Sequence, residues 1–334
     1  MSAGGAAAEV IASPSGRFDL PASAVRHVDD TDEEVFLLHT LRNPENAHGL
    51  GSIDSKNDTI DVRLDLIPAR TFKGAKKTRK PTEVNVSITQ NCTALRTRVG
   101  ETGSVVWRCS VLLAEHVLRQ LWGVMDPSFP TLFSASQFSD CRVLELGAGT
   151  GVMPACLLAQ SGWLLPRADP LRWISTDRKE NLSLIAKNVA SCIPPSPQVD
   201  VHVRELDWMH IHDVGQDPHA RRLKARLVRD TLAPFSSEAD VVYPDLILCV
   251  DCVYNPALHA PLVSTLDAFC EPSKTVILLV MQLREVDNTQ MFLEAWTQHT
   301  DHTIYHLDDD MLPPAMRQGY AAWIAWRGEG GLTA

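Results

Sequence analysis

Cys141-Arg-Val-Leu-Glu-Leu-Gly-Ala-Gly-Thr-Gly151 is an apolar run broken by three glycines at alternate positions. The apolar part predicts a buried strand, and the glycines predict a tight turn into a helix that begins at Val152. Glycine permits positive φ and lets a ligand lie against the backbone, while the first turn of the next helix offers unpaired N–H groups to an anion. A dinucleotide fingerprint, G-x-G-x-x-G, needs its third glycine at 152, where Val152 stands. The spacing Gly147, Gly149, Gly151 therefore favours S-adenosylmethionine, whose methionine carboxylate supplies the anion. Taken alone, such a turn also suits an ordinary strand-to-helix connection, so the flanking pattern has to carry the rest.

Downstream, apolar strands alternate with amphipathic helices. Strands are expected at Trp173–Thr176, Val199–Leu206, Pro244–Val250 and Thr275–Met281, and helices at Val152–Ala159, Asn181–Val189 and Leu262–Phe269. A helix at Met291–Trp296 and terminal strands at His302–His306 and Ala321–Trp326 follow. Upstream, Val106, Leu112, Leu113, Val117, Leu118 and Leu121 recur at helical spacing. This alternation predicts an α/β fold, a Rossmann-like and mostly parallel sheet with right-handed crossovers and helices on both faces, whose ligand lies at the carboxyl edge of the strands.

The organisation expected is a disordered N-terminus over 1–25, an extension over 26–100, and a catalytic domain over 101–334. The extension contains a helix at Val35–Leu41 and a β-hairpin, Thr59–Ile67 with Glu83–Ile88. Its tip Arg70–Lys80 is basic and reads first as a solvated loop, otherwise as a nuclear signal or a ribonucleoprotein contact. Residues 209–243 are too long for a tight connection and, with the charged stretch His219–Leu232, read as a surface insertion.

With 334 residues, 45% of them apolar, the chain can bury a full α/β core. A net charge of −10 and a pI near 5.6 argue against a nucleic-acid substrate and suit a basic protein partner. Eight cysteines without secretory features suggest free thiols in a reducing compartment. Cys249 and Cys252 form a lone C-x-x-C across a strand end, which is weak ground for redox or zinc chemistry. Met1–Pro21 has neither a basic leader nor a continuous apolar stretch, so no secretory signal is expected. No apolar run reaches the ~20 residues of a membrane span. A monomer in the cytoplasm, or also the nucleus, is the expectation.

The strand ends supply the chemistry. Asp177 closes the second strand, where a carboxylate can accept hydrogen bonds from both ribose hydroxyls, or simply cap the next helix. Trp208 follows the third strand and can lie along an adenine ring, and Trp107 can close the pocket from the other side; either would serve equally as core. The fourth strand ends in Asp251-Cys-Val-Tyr254, at the edge where a sulfonium methyl would point. Asp251 is expected to orient an amine by a hydrogen bond rather than to abstract its proton, and Tyr254 to shape the slot and offer its π face. His210 and His212 read as solvated, and Trp323 and Trp326 as core.

Together, Gly-Ser-Val-Val-Trp107, Glu145-Leu-Gly-Ala-Gly-Thr-Gly151, Ser-Thr-Asp177, Leu-Asp-Trp208 and Asp251-Cys-Val-Tyr254-Asn resemble the seven-strand protein lysine methyltransferases of the methyltransferase-like 21 group. The resemblance runs over about residues 100–327. Asn91-Cys-Thr-Ala-Leu-Arg96, Met281-Gln-Leu-Arg284 and Phe292-Leu-Glu294, with the hairpin, are similar to the fungal ribosomal lysine N-methyltransferase 5 family. The resemblance implies S-adenosylmethionine bound through Trp107, Glu145, Gly147, Ala148, Gly149, Gly151, Asp177, Trp208 and the backbone at Val250. It implies a lysine entering by Asp251 and Tyr254, and a large-subunit ribosomal protein of the L1 type as substrate. A lysine methyltransferase acting on an elongation factor or chaperone, or a silent cofactor-binding scaffold, would carry much of the same pattern.

Overall fold

Arg142–Leu146, Leu171–Asp177, Leu246–Val250, Val276–Gln282 and Tyr320–Arg327 are buried along almost their whole length, which demands cover on both faces of whatever sheet they form. A computed structural model describes residues 9–41, 51–66, 81–97, 102–126, 129–236, 240–328 and 331–333. In chain order its first elements are β1 (Val10–Ala12), β2 (Asp19–Pro21), β3 (Val25–His27), α1 (Thr31–Leu41), β4 (Thr59–Asp65), β5 (Glu83–Thr89), α2 (Cys92–Thr97), α3 (Arg108–Leu121) and α4 (Ala135–Phe138). Then come β6 (Arg142–Leu146), α5 (Val152–Leu158), β7 (Leu171–Asp177), α6 (Lys179–Cys192), β8 (Val199–Glu205), α7 (Trp208–Gln216) and α8 (Arg221–Leu232). The chain ends with β9 (Leu246–Val250), α9 (His259–Phe269), β10 (Val276–Gln282), α10 (Val286–His299), β11 (His302–Leu307), β12 (Tyr320–Arg327) and β13 (Gly331–Thr333).

The main sheet has the order β3-β11-β12-β10-β9-β6-β7-β8. From β8 to β10 its strands are parallel. β12 runs antiparallel between β10 and β11, and β3 is antiparallel to β11 at the edge. The order reverses between β6 and β9, so the carboxyl ends of those two strands border a crevice. The expected Rossmann-like sheet is therefore present, with two strands, β12 and the edge strand β3, running against the parallel set.

Alternate residues of each central strand feed two separate cores. Val143, Leu248, Val250, Leu278 and Val280 face α3, α5 and the β4–β5 hairpin. Leu144, Leu146, Ile247, Cys249, Leu279 and Met281 face α1, α7, α9 and α10. Trp323 and Trp326 are fully buried core residues. Among the described residues no helix is long and apolar enough to cross a membrane.

Three expectations change. Residues 10–25 are ordered: β1 pairs with β2 and β13, and β3 joins the main sheet. Phe18 and Leu20, both fully buried, supply the apolar anchors that the small-residue composition hides. Residues 209–243 are not a surface insertion, because α7 and α8 bury Ile211, Val228 and Leu232 in the second core, where the crossover from β8 to β9 must pack. Glu145 faces the protein interior. It is 3% exposed and accepts hydrogen bonds from Ser175 Oγ at 2.7 Å and Trp173 Nε1 at 3.0 Å, so it holds strands together instead of holding a ligand. The hairpin forms as expected, β4 antiparallel to β5, while its basic tip at 70–80 lies outside the described residues.

The hairpin is tied to the glycine turn by one buried side chain. Asn188 of α6 donates from Nδ2 to Thr89 O at 2.7 Å and to Thr150 O at 2.8 Å, and its Oδ1 accepts from Thr89 N at 2.9 Å. Asn188→Ala leaves those backbone groups unpaired, and urea denaturation should show a loss of roughly 2–4 kcal/mol. Glu145 makes a second prediction. Burial pushes its carboxyl up from 4.5 to about 7, aided by the Asp177 charge and opposed by the Ser175 and Trp173 hydrogen bonds. The folded chain then holds this proton more tightly than the unfolded one, so its contribution is present at low pH and is lost as pH rises through that window. Glu145→Gln removes the proton. Between pH ~5 and ~8, chemical denaturation should show the variant gaining about 3 kcal/mol on the parent.

Candidate active site

The crevice at the switch point begins with backbone geometry. Gly147, Gly149 and Gly151 all have positive φ, at 66°, 59° and 72°. A side chain on Gly147 would also place its Cβ 2.7 Å from Cys252 Sγ and 3.2 Å from the Trp208 ring, so conformation and space both exclude one. Gly151 is the left-handed N-cap of α5; a Cβ there would meet Ile185, away from the crevice, so the third glycine shapes the turn and does not line the cleft.

Asp177, at the end of β7, holds this turn in place. Its Oδ2 accepts from Gly149 N at 2.7 Å, and its Oδ1 accepts from Arg178 N at 2.8 Å and Asn181 Nδ2 at 3.0 Å. Ala148 N donates to Thr176 O at 2.9 Å, which seats the turn on the neighbouring strand. Asp177 thus braces the entry to α6, whose N-cap is Arg178, and also lines the cleft.

Two tryptophans bound the opening. Trp208 is the first residue of α7, whose N-cap is Asp207, its side chain accepting from Met209 N at 2.9 Å. Trp107 also lines the cleft, just before α3, with Nε1 donating to Thr102 O at 2.9 Å. The N-terminal extension supports the Trp107 wall. Arg108 N donates to Gly51 O at 2.8 Å, Ile53 N to Val106 O at 3.0 Å, and Val106 N to Gln90 Oε1 at 3.0 Å. Buried Gln90 passes on to Asp54 O at 2.7 Å, so the wall depends on residues outside the sheet.

The end of β9 closes the cleft. Val250, Asp251, Cys252 and Tyr254 line it with Trp107, Trp208, Asp177 and the glycine turn, around about 760 Å³ of space including the open mouth. Burial pushes the Tyr254 phenol up, partly offset by a hydrogen bond with Thr102. Asp251 differs from its expected role. Its backbone is left-handed, φ 58°, and its side chain is 2% exposed. Oδ1 accepts from Gln282 N at 3.1 Å and Arg284 Nη1 at 2.9 Å, and Oδ2 accepts from Arg284 Nη2 at 2.9 Å. With both oxygens held by Arg284, the charge of this carboxylate is already paired inside the cleft. The sequence signal for Arg284's role is a lone cation two residues past an apolar strand. Elsewhere, His212 is spent on Ser264 Oγ at 2.8 Å, and Cys249 and Cys252 are buried thiols, Cys252 donating to Leu146 O at 3.3 Å.

The lining suits a cationic nucleoside. Leu206, Leu258, Val105 and two tryptophan rings offer apolar walls, Asp177 offers a carboxylate, and the glycine turn offers close backbone approach. With Asp251 set aside as the partner of Arg284, two carboxylates, Asp177 and Asp207, face one guanidinium, Arg178. That balance fits a sulfonium with its own carboxylate better than a doubly charged pyrophosphate.

Comparison with known proteins agrees. The profile of a family described as lysine methyltransferase matches residues 89–223 and 234–299, which is more than half of the chain. Protein N-lysine methyltransferase METTL21A of Mus musculus is 28% identical over 183 residues, 54% of this chain and 61% of that one. A Schizosaccharomyces pombe protein named diaminohydroxyphosphoribosylamino-pyrimidine deaminase is 26% identical over 276 residues, 82% of this chain and 53% of that one. Methyltransferase-like protein 22 of Mus musculus is 27% identical over 224 residues, 64% of this chain and 47% of that one. The chain thus spans about half the length of the curated relatives it matches. Among solved structures, the trans-methyltransferase CalH in complex with SAH is similar at a TM-score of 0.30 and 16% identity, over 57% of this chain and 52% of that one. From the profile match and a cleft that suits the ligand, the chain belongs to the lysine methyltransferase family, and S-adenosylmethionine is its cofactor.

Proposed function

We propose that this protein is a protein-lysine N-methyltransferase whose substrate is a large-subunit ribosomal protein of the L1 type, acting in the cytoplasm or nucleus as a monomer. The observation that carries the reading is the cleft itself, where a glycine turn, an acidic strand end and two tryptophans converge beside Tyr254. The cofactor supplies an electrophilic methyl group on a positively charged sulfur. Gly147, Ala148 and Gly149 would receive its amino-acid end, Asp177 its ribose, and Trp208 and Trp107 its flat and apolar parts, with the backbone at Val250 beneath. Tyr254, which lines the cleft, would form the lysine slot and offer its ring to the cation.

Methyl transfer from sulfur is an in-line displacement, so the protein contributes chiefly alignment and exclusion of water. A lysine must arrive as the neutral amine. Asp177 and Asp251 are both engaged in hydrogen bonds within the protein, so the proton leaves to water before the amine is aligned. The name of METTL21A supports a protein lysine as acceptor. Support for the ribosomal target is the similarity of residues 91–96, 281–284 and 292–294 to the fungal ribosomal enzymes, together with a net charge of −10 that attracts a basic protein.

Intact-mass analysis of purified large-subunit ribosomal proteins, incubated with enzyme and cofactor, should show one protein gaining mass in methyl steps. Methylation of a different protein overturns the ribosomal assignment, and methylation of RNA overturns the acceptor class. Tyr254→Ala should lower kcat by roughly 10–100-fold with little change in S-adenosylhomocysteine affinity, since it removes alignment and leaves the cofactor cradle intact. Gly147→Ala should do the reverse, weakening S-adenosylhomocysteine in calorimetry at least about tenfold because positive φ and the Cys252 contact both resist a Cβ.

A further inference from the structure

Arg284 and Asp251 form a two-pronged charged pair beside the cleft, and neither the fold nor the proposed reaction explains it. The guanidinium meets both carboxylate oxygens in a two-pronged geometry at 2.9 Å each, and Nη2 also donates to Gln282 Oε1 at 3.3 Å. Its carbon lies 5.7 Å from the centre of the Trp107 ring. The same group touches the N-terminal extension, since a Cβ on Gly51 would sit 3.3 Å from Nη2 and collide with the Gln282 amide. Four separated pieces of chain therefore meet at one side chain: the end of β9, the end of β10, Trp107, and the segment at Gly51 that pairs with it through Arg108.

Burying a carboxylate this deeply costs free energy unless a partner is fixed in place. Only a planar fork can serve two carboxylate oxygens and still lie against an indole, which is why arginine and not lysine stands here. We infer that Arg284 is a positioning residue for the cofactor site, clamping Asp251 and Trp107 so that the tryptophan wall stands at the distance the cofactor requires. Asp251 is then the other half of the clamp, not the group that receives the amine.

This inference rests on the cofactor assignment and deepens the proposed reading. Its test measures S-adenosylhomocysteine affinity by calorimetry, which needs no protein substrate, beside melting temperature and methyl transfer. Asp251→Asn keeps a residue that tolerates a left-handed backbone while removing the charge. R284M leaves Asp251 buried and unpaired and risks misfolding, so the double variant D251N/R284M, with no buried charge, stands beside it. Expected is a loss of about tenfold or more in affinity for D251N and for the double variant alike, because members of one clamp fail together rather than additively. R284K should retain the melting temperature and still bind roughly fivefold or more weakly, since an ammonium cannot fork. Unchanged affinity in R284K and the double variant overturns the clamp. So does a D251N variant with native affinity and a collapsed kcat, which would return Asp251 to the amine. If the parent chain itself fails to bind S-adenosylhomocysteine, the functional reading falls and not the clamp alone.

Discussion

The hydrogen bond from Gly149 N to the Asp177 carboxylate is the contact on which the site depends. Three left-handed glycines at alternate positions are entropically expensive, and the turn's own hydrogen bond, Gly151 N to Ala148 O at 2.8 Å, leaves Gly149 to be held from outside. Asp177 holds them by accepting from the turn with one oxygen and from the start of α6 with the other. The turn therefore inherits the rigidity of two adjacent parallel strands. Gly147, wedged between Cys252 and Trp208, extends that rigidity to the end of β9, so the floor of the cleft is set by main chain and not by adjustable side chains.

The walls are built differently. Trp107 belongs to the catalytic domain by sequence, yet its surroundings come from elsewhere: Gly51, Ile53 and Gln90 hold the backbone around it, and Arg284 covers its ring. Asn188 completes the circuit by tying β5 to the turn at Thr150. The N-terminal extension is thus a structural component of the cleft. A separate module linked to the sheet only through its termini would not show this pattern of buried side-chain to backbone bonds.

Much of this was legible in the chain. Periodicity located the central strands and helices because each is buried on a regular face, and Gly147, Asp177, Trp208 and Tyr254 stand at strand ends where the topology must gather them. What escaped was whatever depends on contacts remote in sequence. Residues 10–25 look featureless because Phe18 and Leu20 are the only large side chains they bury fully, and β1 finds partners in β2 and in β13 at the far end of the chain. The charged helix α8 looks like an exposed insertion because its buried stripe is narrow, with Val228 and Leu232 as its apolar anchors. Glu145 sits inside the most recognisable motif of the chain, and nothing local distinguishes a carboxylate facing a cofactor from one facing Trp173. Arg284 offers only its place after an apolar strand as a signal, since its partners lie 33 residues back and at Trp107.

These electrostatics bear on the reaction. A free carboxylate at the end of β9 would hold a lysine as the ammonium ion, the form that cannot attack an electrophile. Pairing Asp251 with Arg284 removes that trap while leaving Asp177 and Asp207 as the charges that face a sulfonium. The cleft then favours the cationic donor and does little to retain a protonated acceptor, and the difference between those two interactions is what a methyl transfer to nitrogen requires. If the amine enters at the end of β9 as proposed, the buried pair neutralises a charge there, and the same guanidinium lies over the Trp107 ring.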